Sequence, residues 1–302
     1  MLLNRNLAIS ASCPGLILVR RRSRFYSGLM RISLEREAIS LDDTYQTYIN
    51  RVARMTLPEA YQSQVQYIQP SPKYQRDQAG AIQPAAFPGY TVISPPWSDD
   101  DQNRAFYNHL ESYQQRLVQQ LTPGLVIPVP AKSFHFTLAD LIWASAYRDA
   151  IDKNPEFESQ LAACIADSFQ KSQPIVQAEK PIYWQVIGLF LRTRAIGVCL
   201  VPKDEDSYNR IVELRRMLYQ NSDLIGLGIE QQYNFTAHIT LGYFGEAAAE
   251  VDRDSLAQQL IQLNEWWLET SPQEMWVHRA ELRKFDDMTN YYREADWPIV
   301  QF

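Results

Sequence analysis

One order of elements occurs twice in this chain, and it restricts the fold more than any other feature. Tyr90-Thr-Val-Ile-Ser94 reads as a short strand stopped by Pro95 and Pro96. The acidic run Ser98-Asp99-Asp100-Asp101 then opens a helix to about Leu121, with Phe106, Leu110, Tyr113, Leu117 and Leu121 as its apolar stripe. A second strand follows, centred on Phe134-His135-Phe136-Thr137-Leu138. The order then returns. Ala195 to Val201 is a strand stopped by Pro202, and Asp204-Glu205-Asp206-Ser207 opens a helix with Tyr208, Ile211, Leu214 and Leu218 on one face. The strand Ala237 to Phe244 completes it. From stopping proline to histidine is 40 residues in the first copy (Pro95 to His135) and 36 in the second (Pro202 to His238). A strand–helix–strand unit repeated in this way predicts two matched lobes.

The remaining segments fit around that plan. Tyr45, Tyr48/Ile49, Val52 and Met55 recur every three to four residues, and Pro58 suits the first turn of a second helix, so residues 41–69 read as a helical extension. Residues 70–89 are punctuated by Pro70, Pro72, Gly80, Pro84, Pro88 and Gly89 and read as a loop. Trp143/Tyr147/Ile151 and Phe157/Leu161/Ile165/Phe169 mark two helices between the copies. Ile182 to Phe190 reads as a strand returning on 195–201 across Arg192-Thr193-Arg194. A helix through Trp266 and Trp267 and a final strand near Ala280 to Phe285 close the chain. The expected class is α+β: mostly antiparallel sheet in two lobes, with helices on the outer faces.

Charge separates the first 34 residues from the rest. They hold six arginines (Arg5, Arg20, Arg21, Arg22, Arg24, Arg31) and no acid. Without them, 23 basic residues face 35 acidic ones, a charge of about −12 in place of the whole chain's −6. The 1–34 stretch reads as a basic tail, expected to be disordered and outside the fold. It is either an organelle transit peptide or an upstream extension of a reading frame that starts at Met30. The folded unit is then 35–302. The corresponding locations are cytoplasmic, or an organelle if the tail is a transit peptide. An acidic body repels a long phosphate backbone, which argues against an extended nucleic-acid surface while allowing a small phosphate ligand in a local site. No run approaches the 18 or so apolar residues of a membrane span, so no membrane partner is expected. A monomer is expected. Cys13, Cys164 and Cys199 lie far apart without a C-x-x-C pair, excluding a disulfide framework or thiolate metal site. Cys164 and Cys199 sit in apolar runs and read as core residues.

The chain has four histidines, and two of them stand at equivalent points of the repeat: His135-Phe136-Thr137-Leu138 and His238-Ile239-Thr240-Leu241. Strand side chains alternate, so each His and its Thr point one way while the apolar residue between them points into the core. Each strand therefore presents an imidazole beside a hydroxyl. Opening a cyclic phosphate needs one group to take a proton from the attacking oxygen and another to give one to the leaving oxygen. An ordinary imidazole value near 6.5 suits both tasks near pH 7. Threonine hydroxyls can hold the non-bridging oxygens. No third histidine and no ligand-spaced carboxylates accompany these strands, so neither a metal nor a cofactor is expected.

Two His-x-Thr strands in duplicated lobes resemble the two-histidine phosphoesterase superfamily, which includes RNA 2′,3′-cyclic phosphodiesterases, 2′-5′ RNA ligase-like proteins and plant cyclic phosphodiesterases. Lys73-Tyr74, Gly80 and Phe87-Pro-Gly-Tyr-Thr91 also look like the approach to the first strand in an uncharacterised branch of it. The resemblance covers about residues 70–290 and leaves out the helical extension and the tail. It implies that His135 and His238 face each other across a cleft between the lobes, with Thr137 and Thr240 on the phosphate. The activity implied is metal-independent hydrolysis of 2′,3′-cyclic or related phosphates on nucleotides or short RNA ends. A non-catalytic module binding a phosphorylated nucleotide, or an RNA end ligase, would use the same residues.

Other polar features have plainer readings. The acidic runs at 99–101 and 204–206 sit where helix N-termini favour negative side chains, so they are expected to cap rather than to bind metal. His109 and His278 read as structural or solvated. Gly226-Leu-Gly228 lacks the third glycine of a nucleotide fingerprint. Arg283-Lys284-Phe285 could meet a nucleotide but fits surface and core better.

Overall fold

A computed structural model describes residues 42–178, 180–269 and 274–302. The basic stretch 1–34, with both readings of it, lies outside the described residues. Two helices come first, α1 (Tyr45–Arg54) and α2 (Pro58–Gln64). A small hairpin of β1 (Tyr74–Arg76) and β2 (Ile82–Pro84) occupies the segment expected to be plain loop. The first copy of the repeat is β3 (Gly89–Ile93), α3 (Arg104–Gln120), β4 (Val126–Pro128) and β5 (Thr137–Trp143). Helices α4 (Ala144–Lys153) and α5 (Phe157–Val176) follow, then β6 (Tyr183–Arg192). The second copy is β7 (Ala195–Pro202), α6 (Glu205–Tyr219), the short α7 (Ser222–Gly226) and β8 (His238–Phe244). The chain closes with α8 (Arg253–Leu268), β9 (Glu274–Trp276), β10 (Arg279–Phe285) and β11 (Ile299–Gln301).

The strands form two larger antiparallel sheets, ordered β11-β10-β3-β5 and β4-β8-β7-β6-β9. In each sheet the strand that opens a copy of the repeat pairs directly with the strand that carries its Thr: β3 with β5, and β7 with β8. The class is α+β, as the sequence pattern implies. No helix among the described residues is long and apolar enough to cross a membrane.

The acidic runs do local structural work, with one refinement. Asp204 accepts from Ser207 N at 2.8 Å and so caps α6. The first run does not open α3 directly. Asp100 closes a 3-10 turn by accepting from Gln102 N and Asn103 N, and its carboxylate also meets His278 Nε2 at 3.1 Å. The helix proper starts only at Arg104, after two short 3-10 turns at Trp97–Asp99 and Asp101–Asn103, the second of them capped by Asp100.

β7 and β8 approach so closely beside Thr240 that position 197 must be glycine. A Cβ there would stand 2.3 Å from the backbone oxygen of Ile239. Gly197→Ala is therefore expected to lower stability by about 3 kcal/mol, since neither backbone can move aside cheaply. Urea unfolding checks this, and an unchanged midpoint would sink it.

Candidate active site

Each predicted site residue lies on a cleft of about 500 Å³ between the two sheets, lined by His135 and Thr137 from one side and His238 and Thr240 from the other. Burial alternates as the pattern requires. His135, Thr137, His238 and Thr240 are partly open, while Phe136, Leu138, Ile239 and Leu241 are fully buried. The two histidines differ in one respect from expectation. His238 is the first residue of β8, whereas His135 lies two residues before β5 begins. A 3-10 turn at Ala131–Ser133 feeds the chain in at that point. The Ser94 hydroxyl, not a ladder carbonyl, accepts from Phe136 N at 2.9 Å, because the strand it belongs to has ended at the prolines.

Both imidazoles are held by the same device. His135 Nδ1 is 2.7 Å from the carbonyl oxygen of Ser133, and His238 Nδ1 is 2.8 Å from that of Thr236. A carbonyl only accepts, so each Nδ1 carries the hydrogen and each Nε2 is the atom that titrates. The rings are also packed, His135 against Tyr291 at 4.1 Å between centroids and His238 against Phe190 at 5.5 Å. Among the described residues neither the Thr137 nor the Thr240 hydroxyl has a hydrogen-bond partner in the protein, which leaves both for a ligand.

Behind the histidines sits an aromatic plug. Phe136, from the His-Phe-Thr triplet, packs on Trp184 at 5.1 Å and on Phe235 at 6.0 Å, and Tyr48 of α1 closes on Phe235 at 5.8 Å. The Tyr48 hydroxyl donates to Leu200 O at 2.8 Å and accepts from Ala237 N at 3.0 Å. Arg51, one turn further along α1, donates to the Thr236 hydroxyl and to Phe235 O. The helical extension thus grips the residues immediately before His238, including the one whose carbonyl anchors its ring. On the other side, Arg215 of α6 donates to Leu138 O and forms a buried ion pair with Asp42 at 3.0 Å. Asp42 also accepts from Phe235 N at 3.2 Å. The approaches to both histidines are therefore cross-linked.

Electrostatics around the two rings are unequal. Burial is the main influence on both, pushing His135 down to about 4 and His238 down to about 3. Asp140 pulls His135 back up, while Arg192, His135 and Lys73 push His238 further down. Both rings are neutral near pH 7 when the cleft holds no anion, so the ordinary imidazole value does not apply here.

Four cleft residues lie outside the two His-x-Thr motifs, and of these the sequence marks only Lys73, as part of the approach to the first strand. Asp140 accepts a hydrogen bond from the Tyr233 hydroxyl. Arg192 stacks its guanidinium over Phe190 at 5.2 Å and Tyr233 at 5.8 Å. Lys73 enters from the segment before β1, and Tyr291 from the Tyr-rich end of the chain. Arg192 stood in the sequence only as one corner of a turn. Tyr291 had no signal to distinguish it from packing aromatics. Of the segment at 283–285, only Phe285 reaches the cleft. Arg283 pairs with Glu281 and Asp99, and Lys284 with Glu158 at 2.7 Å. His278 is structural through Asp100, and the His109 ring packs near Trp267 at 4.7 Å between centroids. Cys199 is buried as expected, and Cys164 is only partly so. Among the described residues, no group of three or more His, Cys, Asp or Glu is placed to hold a metal ion.

No protein-family model matches the sequence, and no curated protein matches it. Solved structures do. The chain is similar to a conserved protein of unknown function from Agrobacterium tumefaciens, with 16% identity and a TM-score of 0.45 over 78% of this chain and 96% of that one. It is likewise similar to LigT of E. coli complexed with 3′-AMP, with 16% identity and a TM-score of 0.38 over 70% and 94%, and to a phosphoesterase, with 15% identity and a TM-score of 0.36 over 70% and 94%.

Proposed function

We propose that this chain is a two-histidine phosphoesterase whose unit at 35–302 hydrolyses a cyclic phosphate, such as a 2′,3′-cyclic phosphate, on a nucleotide or short RNA end. One observation carries the reading. Two imidazoles, each pinned at Nδ1 by the carbonyl two residues before it, open on one cleft, each beside a threonine hydroxyl that the protein leaves uncommitted. That arrangement supplies two oriented Nε2 atoms for in-line proton transfer and two donors for the non-bridging oxygens.

The unequal surroundings favour one assignment of the roles. His238, beside Arg192 and Lys73, stays neutral and takes the proton from the attacking water as its oxygen bonds to phosphorus. His135, beside Asp140, gains a proton when the phosphate anion enters, and delivers it from Nε2 to the ribose oxygen as the P–O bond breaks. The product is a phosphate monoester and a free hydroxyl. The two protons are then exchanged with solvent, restoring the starting state.

The test is a turnover panel of 2′,3′-cyclic mononucleotides, cyclic-phosphate-ended RNA and ADP-ribose cyclic phosphate, run with and without EDTA. Turnover that survives EDTA is expected with at least one of them. Binding heat in calorimetry without product would favour a binding module, and joined RNA ends would favour a ligase.

A further inference from the structure

Lys73 is a cation placed against the two-histidine cleft without an anion to match it. Its segment is held firmly: Ser71 N donates to Phe244 O at 2.8 Å, and Lys73 O accepts from Ala85 N at 2.9 Å. The side chain runs between two aromatic faces, with Nζ 4.5 Å from the centre of the Phe87 ring and 4.9 Å from that of Tyr243. Nζ also donates to the Tyr243 hydroxyl at 3.3 Å and lies 3.2 Å from Met288 Sδ. Among the described residues no carboxylate lies within ion-pair distance of it. Some half-buried cations elsewhere are ion-paired, Arg51 with Asp43, Lys284 with Glu158 and Arg215 with Asp42, while Arg253 and Arg293 donate to backbone carbonyls. Among the described residues Lys73 has neither kind of oxygen. Rings, a hydroxyl and a thioether compensate an ammonium taken partly out of water less fully than an adjacent anion does.

We propose that the ligand's own phosphate is that counter-ion: Lys73 Nζ is a third phosphate-binding group of the cleft, lying outside the duplicated His-Thr plan. The inference rests on reading the cleft as a phosphate site. It goes beyond that reading by adding a charged anchor to two neutral hydroxyls. A fixed positive charge there would hold the anion before chemistry and offset charge on the non-bridging oxygens during it.

Burial pulls Lys73 down to about 8, with Asp140 raising it and Arg192 lowering it further. The other titratable groups around it do not change charge between pH 7 and 10. Tyr74 is pushed up to about 12, and Tyr243, Tyr291 and Tyr233 are also raised by burial. His135 and His238 are already neutral. A probe whose own charge is constant over this range therefore reports on Lys73, and comparison with a Lys73 variant separates it from any proton that the anion draws onto His135. Sulfate is such a probe.

The experiment is calorimetric titration of the full chain with sulfate in low-salt buffer from pH 7 to pH 10. Wild-type affinity is expected to fall by about tenfold per pH unit above about pH 8. Lys73→Met, which keeps the unbranched stem in its aromatic slot, should bind sulfate about tenfold or more weakly at pH 7 and show no further loss above pH 8. It should melt no lower than the wild type without sulfate, because it removes an unmatched charge. Lys73→Arg should restore binding at pH 7 and hold it to pH 10. Wild-type affinity that stays flat from pH 7 to 10, or Lys73→Met binding sulfate as well as the wild type, overturns the proposal. Neither readout needs turnover. Sulfate binding lost with Lys73 in an inert protein would sink the phosphodiesterase and leave the anion site standing, while turnover with Lys73-independent binding would do the reverse.

Discussion

His135→Ala and His238→Ala are each expected to lower kcat for a cyclic phosphate by about 10³ or more, the upper part of the range for losing a positioned acid or base. The two act on one transition state, so the double variant should be little worse than either single one. KM should move far less than kcat, because the threonine hydroxyls, and the Lys73 ammonium proposed here, stay in place to hold the ground state. Neither side chain bridges the sheets. The aromatic plug behind them, with Phe136, Trp184, Phe235 and Tyr48, is untouched by either change, so both variants should fold. Steady-state kinetics alongside thermal melts check both halves of the expectation. Full rates in both variants on every cyclic phosphate tried would end the assignment.

The second large effect is in pH. The reactive complex needs one proton on His135 and none on His238. In the empty cleft burial lowers His135 to about 4 and His238 to about 3, so acid favours the protonated forms and neutral pH removes them. Because kcat/KM reports the free protein, its alkaline limb should begin near pH 4 and fall about tenfold per unit above it. In the complex, the phosphate anion beside the imidazolium raises His135, so kcat should hold to a distinctly higher pH than kcat/KM does. Binding between pH 5 and 7 should therefore take up about one proton. Calorimetry in buffers of different ionisation enthalpy measures that uptake directly. A kcat/KM flat from pH 5 to 8 would exclude these two rings as the groups whose protonation controls the rate.

The sequence carried the parts of the cleft that repeat and assigned no role to the parts that do not, although Lys73 and Phe87 stood in the segment that resembles the approach to the first strand. His-x-Thr is legible because strand geometry fixes where alternate side chains go, and because one plan occurs twice. The order around each histidine strand was equally plain, since prolines, acidic caps and apolar stripes act locally. The turn that delivers His135 ahead of β5 was not, because it depends on Ser94 reaching across from another strand. Lys73, Asp140, Arg192 and Tyr291 gain their meaning only from one another's positions, set by segments far apart in sequence. The imidazole values were misjudged for the same reason. Nothing in a linear pattern reports how much water a folded cleft removes.

The grip of α1 on the approach to His238 has a consequence for the order of events in synthesis. Tyr48 reaches Leu200 across 152 positions and Ala237 across 189. Helix α1 therefore waits until about three quarters of the chain has been made before its partners exist, and contacts closed over such spans come late and set the pace of folding. Until they close, His238 has its strand but not its anchored carbonyl. The cleft is thus completed late, and a chain cut short in its second half leaves both sheets unfinished, because β10 and β11 of the first sheet come from its end.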